Sequence, residues 1–398
     1  MVGLLISVLF APLISANNST VSNNTNWSGT IILDSDIVVS SGSTLTIEPN
    51  TIVDGGNGFT IEVYGTLIAE SSYFFSSAQP TAQSSHGQGL WQGLVIKPGA
   101  SATITDVEIH NTNVGIKSEG ALIVDNLTVR DSYFGVKNYG TANIEGYHAE
   151  SIDYEGIMNS GNLILSSANI SNASGGIQSS GALEVTNSNF SHVGTVISAN
   201  SGEVLADNLV LNKVSVGFSS VAGVKFSASN ISGDDVSLLI DVANSDDFVL
   251  SSAEAIGDIL AKSNDASQVK ISDVEFVVAN PGQTPVVEQS CIGTCIIEDL
   301  VIYNSVRGIS FTGNGNHILA NSTINAEQYG VRAANYGSLL VDNVTVNSQH
   351  SGIIIRDSNS RFHGETTIEM TGISAIGLDI LGGTHQIENM TITKAYDN

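Results

Sequence analysis

Basic residues are scarce in this 398-residue chain: 13 Lys and Arg stand against 39 Asp and Glu, a formal charge of −26. A protein that holds nucleic acid needs a basic footprint to displace counterions, so the balance argues against that class. The acidity is dispersed along the chain and suits solubility in salty surroundings or attraction of cations. Aromatic residues are also sparse, at 6%, although hydrophobic residues reach 41%. A narrow core of stacked Val, Ile and Leu has little room for large rings. Cysteine is nearly absent. Cys291 and Cys295 sit four apart in QSCIGTCIIEDL, too few ligands for a metal centre. They read equally as a loop-clipping disulfide or as a small buried apolar residue with a neighbour in the preceding loop. The one long apolar run, Met1 to Ala16, is short of the roughly 20 residues that span a bilayer.

What the chain does have is a repeat. The stretch GALIVDNLTV at Gly120 recurs as GALEVTNSNF at Gly181, GSLLVDNVTV at Gly337 and GTHQIENMTI at Gly383. Copies aligned on Asn126 give the column Asp106, Asn126, Gly146, Ser167, Asn187, Asn208, Ala228, Ser252, Asp273, Asp299, Asn321, Asn343 and Asn389, with Thr366 as a missing member. Most steps are 20 to 22 residues; two are 24 and 26. Leu122 and Val124 alternate with Ile123 and Asp125, the period of a strand with one buried face. The column interrupts that alternation by one residue, which calls for a corner with positive φ, and Asn and Gly adopt positive φ at low cost. Stacked copies would join side-chain amides from turn to turn.

A small residue followed by an aliphatic one precedes each unit, as in Gly115-Ile116, Gly135-Val136, Gly156-Ile157 and Gly352-Ile353. It supplies a third strand. Three short strands in roughly 21 residues describe an all-β parallel β-helix solenoid of about fifteen rungs. These rungs, with WSGTIILDSDIVVSSGSTLTIEPNTIV from Trp27, VYGTLIA from Val63 and WQGLVI from Trp91, resemble the right-handed parallel β-helix repeats of pectate-lyase-like proteins. The similarity is nearest to the non-catalytic prokaryotic surface and secreted members.

Read in order, residues 1–16 are expected to be a secretory signal ending at Ile14-Ser15-Ala16. Residues 17–26 are a polar leader, 27–90 the opening rungs and a loop, and 91–398 the main array. Sequons begin at Asn18 and Asn23 in the leader and at Asn169, Asn189 and Asn230 in the array. Those three align two positions past the corner and so face outward, whereas corner sequons such as Asn126 and Asn343 should have their amides engaged. The wider steps place lateral loops at Ala243 to Asp247 and at Asn280 to Thr294. No capping helix follows the last unit, so either a partner covers its pairing edge or the chain continues beyond the given sequence.

The resemblance implies catalytic groups, where they exist, on an outer sheet face. The outward column after the Gly-aliphatic pair reads Lys117, Lys137, Met158, Gln178, Ser219, Ser310, Arg332 and Ile354, with no carboxylate cluster. Lys117 and Lys137, one rung apart on an acidic chain, are the candidate ligand-binding residues, against the alternative of solvated surface lysines. Arg130 and Glu150 should pair across adjacent rungs. His317 and His385 align with Leu122, as core or edge residues, and His86 lies alone in a loop. No motif calls for a cofactor, and Asp54 to Gly58 reads as a turn, not a Ca²⁺ site. The sequence reading is therefore an extracellular or cell-surface, non-catalytic β-helix whose partners are surface glycans or other envelope proteins. Its rival is a polysaccharide lyase or glycoside hydrolase acting on acidic polysaccharide.

Overall fold

A computed structural model describes residues 13–15, 19–77, 91–221, 223–244, 247–334 and 337–394. The described residues form an all-β parallel β-solenoid without helix, making about 16 turns about 22 residues apart. It divides into two compact units, Met1–Ile164 and Leu165–Asn398.

In the first unit, strands Thr66–Glu70, Ser101–His110, Ala121–Ser132 and Thr141–Asn159 stack in parallel. Leu67, Ala102, Leu122 and Ala142 form one column, and Ala69, Ile104, Val124 and Ile144 the next. All eight are buried, while Ile123, between two of them, is 56% exposed. Beyond the corner, Val107, Leu127 and Tyr147 continue the buried file. The third strand, Val114–Ser118 and then Phe134–Asn138, turns Ile116 and Val136 inward and Lys117 and Lys137 outward. At the front of this unit, Leu13–Ser15 pair with Thr30–Ile32; the rest of the expected signal segment, with Asn17, Asn18 and His86, lies outside the described residues.

The second unit repeats the plan. Leu183 pairs with Val204 and Phe190 with Leu211, and Phe226 stacks on Phe248 at 5.1 Å between ring centres. Rings enter the narrow core only here and there, stacked like the aliphatics.

The corner carries the geometry. Asp106, Asn126 and Gly146 in the first unit have φ of 51°, 60° and 68°. In the second, Ser167, Asn187, Asn208, Ser252, Asp273, Asp299, Asn321, Asn343 and Asn389 lie between 47° and 57°. Amides link successive corners: Asn126 Nδ2 donates to Asp106 Oδ1 at 3.0 Å, Asn208 Nδ2 to Asn187 Oδ1 at 2.7 Å, and Asn343 Nδ2 to Asn321 Oδ1 at 3.4 Å.

Two members of the sequence column need correction. Ala228 is a fully buried strand residue paired with Ala206, and the corner of that turn is Asn230, with φ of 53°. Asn230 is exposed, as Asn169 and Asn189 are, but it sits at the corner itself and its Nδ2 donates to Asp207 Oδ1 at 2.7 Å. The 24-residue step disappears, since Asn208 to Asn230 and Asn230 to Ser252 are equal. Thr366 is likewise buried, and Gly364, at φ 65°, takes the corner. In both cases the alternation of neighbours is ambiguous by two residues, and the backbone selects the register that puts Asn or Gly in the left-handed position.

A second left-handed corner follows the first by five residues, at Asn111, Asp131 and Ser151 in the first unit and at Asn172, His192, Lys213 and Asp235 in the second. A buried amide pair marks the third corner of two successive rungs: Asn138 Nδ2 donates to Asn159 Oδ1 at 2.9 Å, and each carbonyl oxygen accepts the N–H of a nearby glycine, Gly140 or Gly161. Gly135 is required by close approach, because a Cβ there would stand 2.0 Å from the Tyr147 hydroxyl and 2.2 Å from the Gly156 carbonyl.

Corner strain and amide linkage can be separated by substitution. Asn208→Gly should lose only the amide bond, about 1 kcal/mol. Asn208→Val should lose that and a further 1–2 kcal/mol, roughly, for forcing a β-branched residue into positive φ. Urea midpoints of the two variants test this; equal losses would show that the corner conformation carries no cost.

Candidate functional site

The outer face of the third strand in the first unit gathers several partly exposed rings and two of the chain's few cations. Lys117 and Lys137 are neighbours across one rung. Lys117 Nζ pairs with Glu119 at 2.6 Å and sits 5.5 Å from the centre of the Tyr139 ring. Lys137 Nζ lies 3.3 Å from the centre of the Phe134 ring. Burial pulls the Lys137 ammonium below the ordinary lysine range, with Glu155 opposing and Lys117 reinforcing the shift. Burial also raises the Glu155 carboxyl, against the opposing pull of Lys137. A partly desolvated acid and base thus share a rim of aromatic rings.

Those rings are Tyr133, Phe134 and Tyr154. Tyr133 and Tyr154 lie 4.4 Å apart and share a hydroxyl hydrogen bond, and Phe134 stacks on Tyr154 at 5.1 Å. Tyr139 and Tyr154 are 45% and 43% exposed, well above what a ring placed for packing alone requires. The reason is positional. The residues just before each Gly-aliphatic pair leave the second corner and point away from the core, so aromatics there have nothing to bury against. The sequence signal was Tyr133-Phe134-Gly135 followed one rung later by Tyr154-Glu155-Gly156; aligning the residues before glycine, and not only after it, would have exposed it.

The neighbouring face of the same unit holds a second polar cluster. Arg130 Nη1 pairs with Glu150 Oε2 at 3.2 Å, His148 Nε2 stands 3.7 Å from the same oxygen, and His110 Nε2 lies 3.4 Å from Glu108 Oε2. With both partners more than a third exposed, the Arg130–Glu150 pair contributes less than about 1 kcal/mol.

The second unit carries a shallow acidic groove of about 390 Å³ lined by Glu254, Asp273, Glu275 and Asp299. Asp273 is a corner residue and accepts the Ser252 hydroxyl at 2.8 Å. The loop expected at Ala243 to Asp247 is described only in part. The other expected loop is shorter than read: its strand resumes at Val287, so Cys291 and Cys295 lie within the wall, both fully buried and joined in a disulfide.

Asn23, Asn169 and Asn189 are exposed. Asp54 accepts the N–H groups of Gly56 and Ser77, both at 3.0 Å, and closes a turn. Among the described residues no group of three or more His, Cys, Asp or Glu is arranged to hold a metal ion, and no helix is long and apolar enough to cross a membrane.

His317 pairs with Cys295 in the wall of the second unit and is 4% exposed. Its Nε2–H donates to the Thr312 carbonyl at 3.0 Å, while Nδ1 has no partner. His385, by contrast, is half-exposed and bonded to Ser360 at 2.8 Å.

No family model matches the chain, and no curated protein matches it. Among solved structures it is similar to the catalytic domain of a GH87 alpha-1,3-glucanase in complex with tetrasaccharides, at 14% identity over 96% of this chain and 70% of that one, with a TM-score of 0.34. A GH87 alpha-1,3-glucanase catalytic domain in complex with nigerose gives 11%, 92%, 62% and 0.29, and the Agl-KA catalytic domain 12%, 89%, 63% and 0.27. The chain spans under two thirds of these last two. This protein is a parallel β-helix. Its own strand pairings establish that, independently of these likenesses.

Burial pushes the His317 pKa down to about 4 from 6.5. The unfolded chain then binds the extra proton between those values, so this contribution to stability is complete above pH 6.5 and is lost as pH falls to about 4. Its size is about 3 kcal/mol. Urea midpoints at pH 7 and 4.5 should show a smaller acid loss for His317→Phe than for the parent. An unchanged difference between the two pH values would contradict the placement.

Proposed function

We propose that this chain is a non-catalytic, extracellular β-helix protein that contacts glycans through the ring-and-lysine face of its first unit. The stacked cluster of half-buried Tyr133 and Phe134 with exposed Tyr154, beside Lys137, carries the reading. Sugar rings present an apolar C–H face that stacks on aromatics, and their hydroxyls accept hydrogen bonds from a flanking ammonium and donate to a flanking carboxylate. Lys137 and Glu155 supply both. Lys117, held by Glu119, is a flanking group in this scheme and not the centre of it. Export rests on the apolar start with Ile14-Ser15-Ala16 and on the sequons at Asn18, Asn23, Asn169 and Asn189; envelope glycans are the partner class that follows.

A hydrolase is the second reading, favoured by the acidic groove of the second unit. Glycoside hydrolysis needs two carboxyl groups at a working separation, one acid and one base or nucleophile. Glu254 and Glu275 occupy the outer strand there, but Asp273 is tied into the corner and no Lys, Arg or His lines the groove. Release of reducing ends from a panel of glycans, abolished by Glu254→Gln or Glu275→Gln, would favour this reading over the first.

Binding to a glycan array should fall about tenfold for Tyr154→Ala and for Lys137→Ala, with the thermal midpoint unchanged. N-terminal sequencing of exported protein should begin at Asn17. Full array binding by Tyr154→Ala would sink the glycan reading, and retention of Met1 would sink the export reading.

A further inference from the structure

The second unit contains a polar groove of about 540 Å³ that the ring-and-lysine face does not explain. Its floor is a file of amides on successive turns. Asn325 and Asn347 are strand neighbours, Asn347 Nδ2 donates to Asn325 Oδ1 at 2.8 Å, and Asn325 Nδ2 donates to the Ile302 carbonyl at 2.9 Å. Asn347 Oδ1 ends this chain as a buried acceptor without a partner. Gln349 and Glu327 stand exposed at the rim.

One wall is built by the segment 279–286, through Pro281. It is braced from outside: Arg307 donates to the Gln283 carbonyl at 2.6 Å and to Gln328 Oε1 at 2.8 Å, and Gln328 Nε2 donates to Gln283 Oε1 at 3.0 Å. The groove is thus held open by a side-chain clamp before any ligand arrives, which lowers the ordering cost of binding.

The lining limits what fits. Glu327 is the one charged residue in it, so a carboxylated sugar would meet a like charge and no cation. An extended peptide has no strand edge to join, because the floor strands Thr323–Ala334 and Thr345–Ser348 are already paired with turns on either side. Primary amides offer a donor and an acceptor together, the complement of a sugar hydroxyl, and recur here at the rung spacing of about 4.8 Å. We infer that this groove is a second site, built for a neutral oligosaccharide lying along the turns, with Asn347 and Gln349 binding its hydroxyls and Pro281 closing one side.

Calorimetric titration of the intact protein with cello-, xylo-, malto- and laminaritetraose, and with oligogalacturonate and an extended neutral peptide, tests it. At least one neutral tetrasaccharide should bind saturably. Gln349→Trp, which fills the groove from an exposed position, and Asn347→Asp should each weaken that binding about tenfold or more, while Tyr154→Ala on the first unit should leave it unchanged. Where Gln349→Trp does not fold, Glu327→Lys replaces it and should weaken the same binding. Absence of neutral binding, preference for oligogalacturonate or for the peptide, or full affinity in the groove variants would overturn the inference. Loss in Tyr154→Ala alone would also overturn it, by assigning the sugar to the first unit and leaving the proposed function standing.

Discussion

A residue held at positive φ once in every turn is the constraint on which the rest depends. An L-residue pays for that conformation unless it is Gly, or an Asn or Asp whose short side chain bonds locally. The chain meets the cost by stacking such residues and letting each amide bond to the corner of the turn before it, as Asn208 does to Asn187. The corner then fixes which neighbours face inward. A slip of one residue would turn Leu127 and Val129 to solvent and Thr128 to the core. Register, core and outer face are therefore one decision.

That decision explains where chemistry can sit. Inward positions are filled by Val, Ile and Leu with an occasional stacked Phe. Backbone groups are spent on the turns above and below. Only outward side chains and the connecting segments are free to vary, and every candidate feature lies there: the rings before Gly135 and Gly156, the carboxylates of the acidic groove, and the amide file beneath segment 279–286. Besides the acidic groove, two surfaces of different character result. One in the first unit offers rings with a matched acid and base; one in the second offers amides and almost no charge.

Much of the architecture was legible in GALIVDNLTV, because strand alternation and a one-residue interruption cannot both be satisfied by a helix or a flat sheet. The register failed only at Ala228 and Thr366, where flanking small and polar residues fit either of two alignments. The second corner escaped notice because His192 and Lys213 share it with Asn172 and Asp235, and no residue type marks the column. The outer face was half read. Lys117 and Lys137 were placed by counting from glycine, but their rings come from the residues on the other side of it, and Glu155 gains its character from burial that sequence does not encode. The amide groove was illegible for a different reason: its floor and its wall belong to different turns, and the clamp through Arg307 exists only in three dimensions.

The most direct measurement bears on the register itself. Val210 and Ser232 are strand partners on the outer face when Asn230 is the corner, about 4.8 Å apart and within reach of a disulfide. Mild oxidation of the Val210→Cys/Ser232→Cys protein should give a rapid intramolecular cross-link, with Val210→Cys/Asn230→Cys lagging well behind. Faster closure of the second pair would place Ala228 at the corner and contradict the stacking on which the outer faces are built.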